Sequence, residues 1–175
     1  MPPRSVTTIP PQIRLKPVHI RRARASDLDA LVELENGVFS SDRISARQLL
    51  HHLGNPSARI LVATHGRDVV AAAVVFFRAG SRIARLYSIA VATSARGWGV
   101  GARLLAAAEA SARRLGRTAI RLEVRNDNSA ARTLYERRGY HRFGLKKTYY
   151  EDGQDALRYE KALARPRNPA LARRR

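Results

Sequence analysis

Apolar residues repeat along this chain with two periods, one typical of strands and one of helices. Apolar and β-branched runs predict strands at residues 19–23, 59–64, 69–77, 82–92, 118–124, 140–150 and 156–161. Helical spacing predicts four helices. The first begins at Ser26 and includes the residues from Leu28 to Glu35, and the others lie at residues 45–53, 100–115 and 128–138. The predicted order is β-α-α-β-β-β-α-β-α-β-β. Because strands outnumber helices, we expect an α/β fold of the mixed-sheet kind, with helices on both faces of the sheet.

Capping residues and glycines mark where the predicted helices begin and end. Ser26 and Ser45 are suited to cap the first two helices, and Gly116 and Gly139 to stop the last two. The turn at residues 65–68 joins two strands into a hairpin. The third helix is predicted to bury one apolar stripe, made of Val100, Leu104, Ala108 and Leu115.

The two ends differ in composition from the body of the chain. Residues 1–17 include five prolines and no acidic residue, and residues 165–175 include five arginines and no acidic residue. We interpret them as basic, disordered arms around a single domain at residues 18–164. The 175 residues contain no cysteine, no secretory signal pattern and no apolar run long enough to span a bilayer. We therefore expect a cytoplasmic protein with no membrane partner and no thiol chemistry.

The chain is strongly basic, with 33 Lys and Arg against 14 Asp and Glu and a formal net charge of +19. Eight of these charges lie in the two arms, which leaves eleven on residues 18–164. Such a charge favours anionic partners, including nucleotide cofactors, acidic peptides, RNA and ribosomal surfaces. The alternative is that the charge only solvates an arginine-rich surface.

A glycine-rich segment, residues 96–101, joins a predicted strand to the third helix. Its sequence is Arg-Gly-Trp-Gly-Val-Gly. A loop of this kind can direct several backbone N–H groups at one anion, and the helix start adds its positive dipole end. The spacing matches neither the nucleotide-hydrolase loop nor the dinucleotide fingerprint. The loop is therefore a candidate phosphate cradle, and the alternative is a turn that only packs a helix on a strand.

Further motifs accompany this loop: Ser-Ile-Ala-Val at 88–91, Leu-Glu-Val-Arg-Asn-Asp-Asn at 122–128, Ala-Ala at 130–131, Leu-Tyr-Glu at 134–136 and Gly-Tyr at 139–140. With these motifs, residues 18–163 resemble the Gcn5-related N-acetyltransferases (GNAT), and in particular the RimI-like branch that acetylates protein N-terminal amines. The resemblance implies the acyl-CoA N-acyltransferase fold. It also implies acetyl-CoA as co-substrate and direct transfer to a primary amine in a ternary complex.

The resemblance assigns the cofactor-binding residues. It implies that the backbone of one strand segment pairs with the pantetheine arm of acetyl-CoA as an added strand would: Ile89, Ala90 and Val91. It implies that the glycine loop binds the pyrophosphate through Arg96, Gly97, Trp98, Gly99, Val100, Gly101 and Ala102. Asn128 matches a family residue that contacts the arm. For Trp98 a packing role is an equal alternative.

Two residues match the catalytic positions of the family. Tyr135 matches the tyrosine that protonates the departing CoA thiolate, and a phenol suits this step because its pKa lies slightly above that of a thiol. Glu123 matches the glutamate that deprotonates the substrate ammonium, directly or through water. The alternatives are a core aromatic for Tyr135 and, for Glu123, an ion pair with Arg121 or Arg125.

The resemblance also implies that Phe39, Tyr149 and Tyr150 bind the acceptor substrate. Phe39 begins a polar segment, residues 39–45, at the position of the substrate loop of the RimI-like branch, although the Pro-Trp frequent there is absent. Strand aromatics are the alternative for the two tyrosines. The adjacent pair His51 and His52 is a poor chelate on a helix, so no metal is expected.

Three functions remain open from the sequence. The first is acetylation of a protein or peptide N-terminus, with a ribosome or another acidic partner docked on the basic surface and arms. The second is acetylation of a small amine such as an aminoglycoside or a polyamine. The third is a non-catalytic basic module that binds RNA or the ribosome.

Overall fold

A computed structural model describes residues 17–164. Its strands are β1 (His19–Arg22), β2 (Ala58–His65), β3 (Asp68–Phe76), β4 (Ile83–Val91), β5 (Ala119–Arg125), β6 (His141–Lys146) and β7 (Ala156–Ala162). Its helices are α1 (Leu28–Val38), α2 (Ala46–Gly54), α3 (Val100–Arg114) and α4 (Ser129–Arg137), with short 3-10 turns at Ala25–Asp27 and Thr93–Ala95. The predicted order of strands and helices is confirmed. The predicted arms, apart from Pro17 and the domain boundary at 164, lie outside the described residues.

Local hydrogen bonds explain where the first two helices begin. Ser45 caps α2 as predicted, since its hydroxyl accepts from the Gln48 N–H at 3.3 Å and its own N–H donates to the Gln48 side chain at 2.9 Å. The prediction for Ser26 is wrong, because this residue lies inside the 3-10 turn. Asp27 orders that turn instead, accepting the Arg24 N–H at 2.7 Å and pairing with Arg21.

Two other sequence predictions need correction. Leu115 does not join the buried stripe of α3: it is 42% exposed, because the helix ends at Arg114 and Gly116 then takes a left-handed conformation with a φ of 70°. Strand β6 ends at Lys146 rather than at residue 150. The segment beyond it turns, with Thr148 at a φ of 50°.

All seven strands form one sheet in the order β1-β2-β3-β4-β5-β7-β6. Every neighbouring pair is antiparallel except β4 and β5, which are parallel. One core lies between the sheet and α3 and α4, and contains Leu104, Ala108, Leu122, Tyr135 and Tyr159. The other lies between the sheet and α1 and α2, and contains Leu31, Leu49, Ile60 and Val74. Helices therefore cover both faces, as predicted.

The parallel pair β4–β5 separates after a short paired segment. Pairing runs from Ile83 opposite Ala119 to Leu86 opposite Leu122 and goes no further. At this point β4 carries a bulge, since Val75 opposes Leu86 and Val74 opposes Ser88, which leaves Tyr87 as an extra residue. Beyond the bulge β4 stays paired with β3, and β5 stays paired with β7. We call the resulting opening the β4–β5 gap.

Within residues 17–164, none of the helices is both long and apolar enough to traverse a lipid bilayer.

Candidate active site

The glycine loop adopts a conformation that requires glycine at two positions. Gly97 has a φ of 79° and Gly99 a φ of 71°, both in the left-handed region. Gly99 is the N-cap of α3 and offers no side chain, so the helix start has no side-chain cap. The N–H groups of the first helical residues, Val100, Gly101 and Ala102, have no partner within the helix. The loop therefore presents uncapped donors at the positive end of a helix dipole.

Two side chains of the loop point to different environments. Arg96 is exposed and adds a positive charge beside the uncapped N–H groups. Trp98 is half-buried, packs against the α3/α4 core and meets the ring of His65 edge-on at 5.3 Å between centroids. The packing role considered for Trp98 is therefore present in the fold, and its contact with a cofactor remains a prediction.

The outer half of β4 turns part of its backbone toward the β4–β5 gap. The Ala92 N–H donates to the Val70 carbonyl of β3 at 2.9 Å. Because backbone groups alternate along a strand, Ala90 also faces β3, whereas Ile89 and Val91 face the gap. The N–H and C=O groups of these two residues are therefore available to an extended ligand lying in the gap.

The start of α3 lies against the end of β4 and against α4. A Cβ built on Gly101 would contact Leu134 of α4 at 3.5 Å and Val91 of β4 at 3.7 Å. The glycine loop, the gap-facing backbone of β4 and α4 thus meet at one place.

Asn128 is the N-cap of α4. Its side-chain oxygen accepts the Ala131 N–H at 3.0 Å, and the residue is otherwise exposed. This capping bond leaves the amide nitrogen of Asn128 to contact a ligand. The predicted cofactor contact is compatible with this arrangement and stays a prediction.

Tyr135, on the inner side of α4, is buried with 4% of its surface exposed. Its ring packs beside Tyr140 at 5.7 Å and Tyr159 at 6.3 Å between centroids. Burial, and secondly the nearby Tyr150, raise the pKa of Tyr135 above its ordinary value. The phenol is therefore protonated at neutral pH and able to donate a proton or a hydrogen bond.

Glu123 is the first residue of β5 after the pairing with β4 ends, so it lies where the β4–β5 gap opens. Leu122 and Val124 point into the α3/α4 core, and Glu123 points to the opposite face, as the alternation predicts. Its side chain is 12% exposed. The carboxylate accepts from Arg85 Nε at 3.1 Å and from Lys146 Nζ at 3.0 Å.

The ion-pair alternative considered for Glu123 named the wrong partners. Arg121 binds Glu160, and Arg125 binds Asp127 and Asp152. The cations around Glu123 come from β4, β6 and β7, and they are Arg85, Lys146 and, at 3.9 Å, Arg158. Sequence reasoning missed all three. A signal exists for two of them, because Arg85 and Arg158 each interrupt an apolar alternation.

The segment with Tyr149 and Tyr150 lies next to this charged cluster. The Tyr149 hydroxyl accepts from Arg85 Nη2 at 2.8 Å, and the two tyrosine rings meet edge-on at 5.1 Å between centroids. Burial, and secondly Tyr149, raise the pKa of Tyr150 to about 12. Tyr150 is also the phenol whose proximity raises the pKa of Tyr135. Arg85 thus links Tyr149 to Glu123, and Tyr150 lies near enough to Tyr135 to influence its pKa.

The segment at residues 39–45 reaches the same region. The Glu151 N–H donates to the Asp42 carboxylate at 3.4 Å, which links this segment to the turn after Tyr150. Phe39 itself is half-buried and packs against the α1/α2 core. Its predicted contact with an acceptor therefore remains a prediction, and the structure gives it a packing role.

Glu35 is a second buried carboxylate that sequence reasoning placed in a helix without a site role. It is 5% exposed and accepts the Ile44 N–H at 3.1 Å and the Ser88 hydroxyl at 3.5 Å. Burial is the largest influence on its pKa and raises it. The signal in the sequence is its position one helical turn after Leu31 on the apolar stripe of α1. Glu35 connects α1, the segment at residues 39–45 and β4 just beyond its bulge.

Among residues 17–164, no group of three His, Cys, Asp or Glu side chains is arranged to hold a metal ion. The rings of His51 and His52 lie 5.5 Å apart and edge-on.

Residues 28–140 match the model of the acetyltransferase (GNAT) family. The putative ribosomal protein bS18 alanine N-acetyltransferase of Bacillus subtilis is 31% identical, over 79% of this chain and 91% of that protein. The N-alpha-acetyltransferase RimI of Mycobacterium tuberculosis is also 31% identical, over 81% of this chain and 90% of that protein. The crystal structure of the ribosomal-protein-S18-alanine N-acetyltransferase from Escherichia coli superimposes with a TM-score of 0.76, at 23% identity, over 87% of this chain and 97% of that one.

These matches cover the strands and helices that build the β4–β5 gap and the glycine loop, and the sheet is the mixed α/β sheet of that fold. The chain belongs to the GNAT acetyltransferase family, and it is an acetyltransferase with RimI-like relatives.

Proposed function

We propose that this protein transfers the acetyl group of acetyl-CoA to the α-amine of a protein or peptide N-terminus, by direct attack in a ternary complex. The observation that carries the proposal is the β4–β5 gap. It has Glu123 where the strands part, the free backbone of Ile89 and Val91 along one side, and the uncapped start of α3 at its far end.

The residues present fit acetyl-CoA. Uncapped N–H groups beside the exposed Arg96 suit a pyrophosphate, and a strand edge with free N–H and C=O groups suits an amide-containing arm. Bound acetyl-CoA would supply the thioester whose carbonyl carbon the amine attacks. In this assignment the backbone donors of β4 near Val91 stabilise the oxyanion.

Two side chains carry out the proton transfers in this proposal. Glu123 accepts the proton of the substrate ammonium, directly or through water, and its ion pairs with Arg85 and Lys146 fix the carboxylate at the start of the gap. Tyr135 donates its proton to the departing thiolate, and the second proton that the attacking nitrogen loses as the amide forms restores the phenol. Burial raises the pKa of this phenol, so a free phenolate is disfavoured and the two proton movements are coupled.

The charges around Glu123 favour an acceptor with one positive group over a polycation. Arg85, Lys146 and Arg158 all lie within 4 Å of this carboxylate. A polyamine or an aminoglycoside needs several free acids, and these cations would repel it. An N-terminal peptide brings one ammonium and a polar backbone, which the phenols of Tyr149 and Tyr150 can contact. The names of the RimI-like relatives point in the same direction.

The test starts with calorimetry of acetyl-CoA, using CoA without the acetyl group as the reference. Acetyl transfer is then measured by mass spectrometry on a library of peptides that differ in their first residues. Matched peptides with blocked N-termini, and spermine or an aminoglycoside, serve as competing acceptors. Acetylation of free N-termini in preference to lysine side chains and small amines supports the proposal. If the protein binds acetyl-CoA but transfers the acetyl group only to small amines, the proposed N-terminal acceptor is wrong. If it does not bind acetyl-CoA, the proposed donor is wrong.

A further inference from the structure

A second basic region lies on the α3 side of the sheet, at the edge formed by β1 and β2. Here a groove of about 480 Å³ separates the two edge strands from the flank of α3. Its floor is apolar and includes Ile20, Leu61, Ala107 and Ala110. Arginines surround this floor, and we call the region the Arg22–Arg59–Arg114 groove.

The pairing of the strands places two of these arginines on one side of the groove. Arg22 of β1 opposes Leu61 of β2, so their side chains share a face of the sheet. Arg59 precedes Leu61 by two residues and therefore points to the same face. Arg114 approaches from α3 on the other side, where one of its nitrogens donates to Ser111 at 3.2 Å.

These three arginines take part in no ion pair among residues 17–164. Their neighbours differ in this respect, since Arg21 is bound by Asp27 and Arg113 by Glu109. Burial first, then the charges of Arg22 and Arg114, lower the pKa of Arg59. The described residues therefore hold these like charges together without an ion pair to neutralise them, and a bound anion would relieve their repulsion.

The groove is distinct from the candidate active site. It lies along the flank of α3 near its last residue, Arg114, whereas the glycine loop precedes the first residue, Val100. The α3 residues that line the groove run from Ala107 to Arg114, which lie about 10 to 21 Å along the helix from Val100. The groove also lies beside the helix, so a ligand there need not contact the negative carbonyl end of α3.

We propose that the Arg22–Arg59–Arg114 groove binds the phosphates of an RNA backbone. Guanidinium groups match phosphate geometry with paired donors, and all three cations are arginines rather than lysines. An open groove with three separate cations suits successive phosphates of a strand better than one small anion. The net charge of +19 would draw a polyanion toward this surface from a distance. This inference does not depend on the proposed acetyl acceptor.

The experiment measures fluorescence anisotropy of a labelled oligouridylate of about twelve nucleotides, with the full chain, between about 50 and 200 mM KCl. The variant combines Arg22→Gln, Arg59→Gln and Arg114→Gln. The matched control combines Arg47→Gln, Arg67→Gln and Arg137→Gln, three exposed arginines on α2, the β2–β3 turn and α4. Both variants lose three positive charges. Arg59 also lies over the Phe77 ring, 5.9 Å from its centroid, so thermal melting of both variants is compared as well.

We expect the groove variant to bind RNA at least about tenfold more weakly than the native chain. The slope of log Kd plotted against log salt concentration should decrease by about 2, because each of the three phosphate contacts contributes about 0.7. The control should lose less than about threefold in affinity. Equal losses of RNA affinity in both variants would show that RNA is attracted by the net charge of the protein and not by the groove, and would overturn the proposal. So would displacement of the RNA by polyglutamate or by inorganic phosphate at equal concentration of charge. Unchanged acetyl-CoA binding by calorimetry shows that the groove variant is folded and separates this result from the proposed function.

Discussion

Arg85 of β4 and Glu123 of β5 are joined at the point where the two parallel strands part, with Nε and Nη2 of the arginine at 3.1 and 3.0 Å from one carboxylate oxygen. The same guanidinium donates to the Tyr149 hydroxyl at 2.8 Å. One side chain therefore holds the candidate base in place where the strands part and also fixes the aromatic segment beside it. The position of Glu123 depends on β4 and β6 as much as on its own strand.

Glu123→Gln should lower kcat by about two to four orders of magnitude, because the amide cannot accept the ammonium proton. Glu160→Gln is the matched control, since Glu160 lies on the same face of the sheet, on β7, and pairs with Arg121. Steady-state rates and thermal melting of both variants test the prediction. A loss of rate in Glu123→Gln that only follows a loss of melting temperature, as in the control, would mean that Glu123 organises the cations and takes no proton.

Tyr135→Phe should retain acetyl-CoA binding and lose most turnover, because only the proton donor is removed from a buried ring. Tyr140→Phe is the control, as it deletes the hydroxyl of a neighbouring buried tyrosine. The pKa of Tyr135 is raised, so its ionisation should not reduce kcat below about pH 10, the ordinary value of a phenol. Calorimetry and a pH profile of kcat measure these effects, and an equal loss of binding and turnover would contradict the acid role.

Gly99→Ala and Gly101→Ala should change the free energy of unfolding in opposite directions. Gly99 has a φ of 71°, and a side chain there costs about 1 kcal/mol or more of unfolding free energy. Gly101 lies inside α3 and has room for a methyl group against Leu134 and Val91, so alanine should stabilise the helix by about 0.5–1 kcal/mol. Urea unfolding gives both values. Acetyl-CoA should bind Gly99→Ala more weakly, and equal stability of the two variants would contradict the strained loop.

Glu35→Gln should remove a pH dependence of stability. The pKa of Glu35 is raised by burial, so the folded protein keeps this proton at pH values where the unfolded chain has lost it. The native protein should therefore lose stability as pH rises from about 4.5, the ordinary value, through the raised pKa. The amide can still accept from Ile44 and can donate to Ser88.

Urea unfolding across this pH range, with the exposed Glu33→Gln as control, measures the effect. The Glu35 variant should be at least as stable as the native chain at neutral pH. A variant less stable by more than about 1 kcal/mol would show that the fold requires the ionised carboxylate.

The sequence predicts the order of helices and strands here because local signals decide it. Ser45 as a helix cap and Gly116 as a left-handed stop are such signals, and both are confirmed. The predictions for Ser26 and Leu115 are wrong because helix ends are fixed by single residues. Asp27, and not Ser26, binds the Arg24 N–H and pairs with Arg21, and Leu115 comes one residue after α3 ends.

The candidate site is predictable only in part for the same reason. The glycines at positions 97 and 99 indicate a tight loop, and both residues have a positive φ in the structure. The cations around Glu123 come from three strands that are distant in the sequence. Pairing between β5 and β7, with a bulge in β6 at Phe143, brings Arg158 and Lys146 to that carboxylate. No local spacing encodes this arrangement, since it follows from the strand order of the completed sheet.

The divergence of β4 from β5 also has a consequence for hydrogen exchange. Along one short strand, amides that bond to β3, at Ala90 and Ala92, alternate with amides that face the gap, at Ile89 and Val91. Deuterium should therefore enter the strand at every second residue, in the middle of a sheet whose interior amides are otherwise protected. A ligand that fills the gap would erase this alternation, so exchange at two amides reports its occupancy without any assay of turnover.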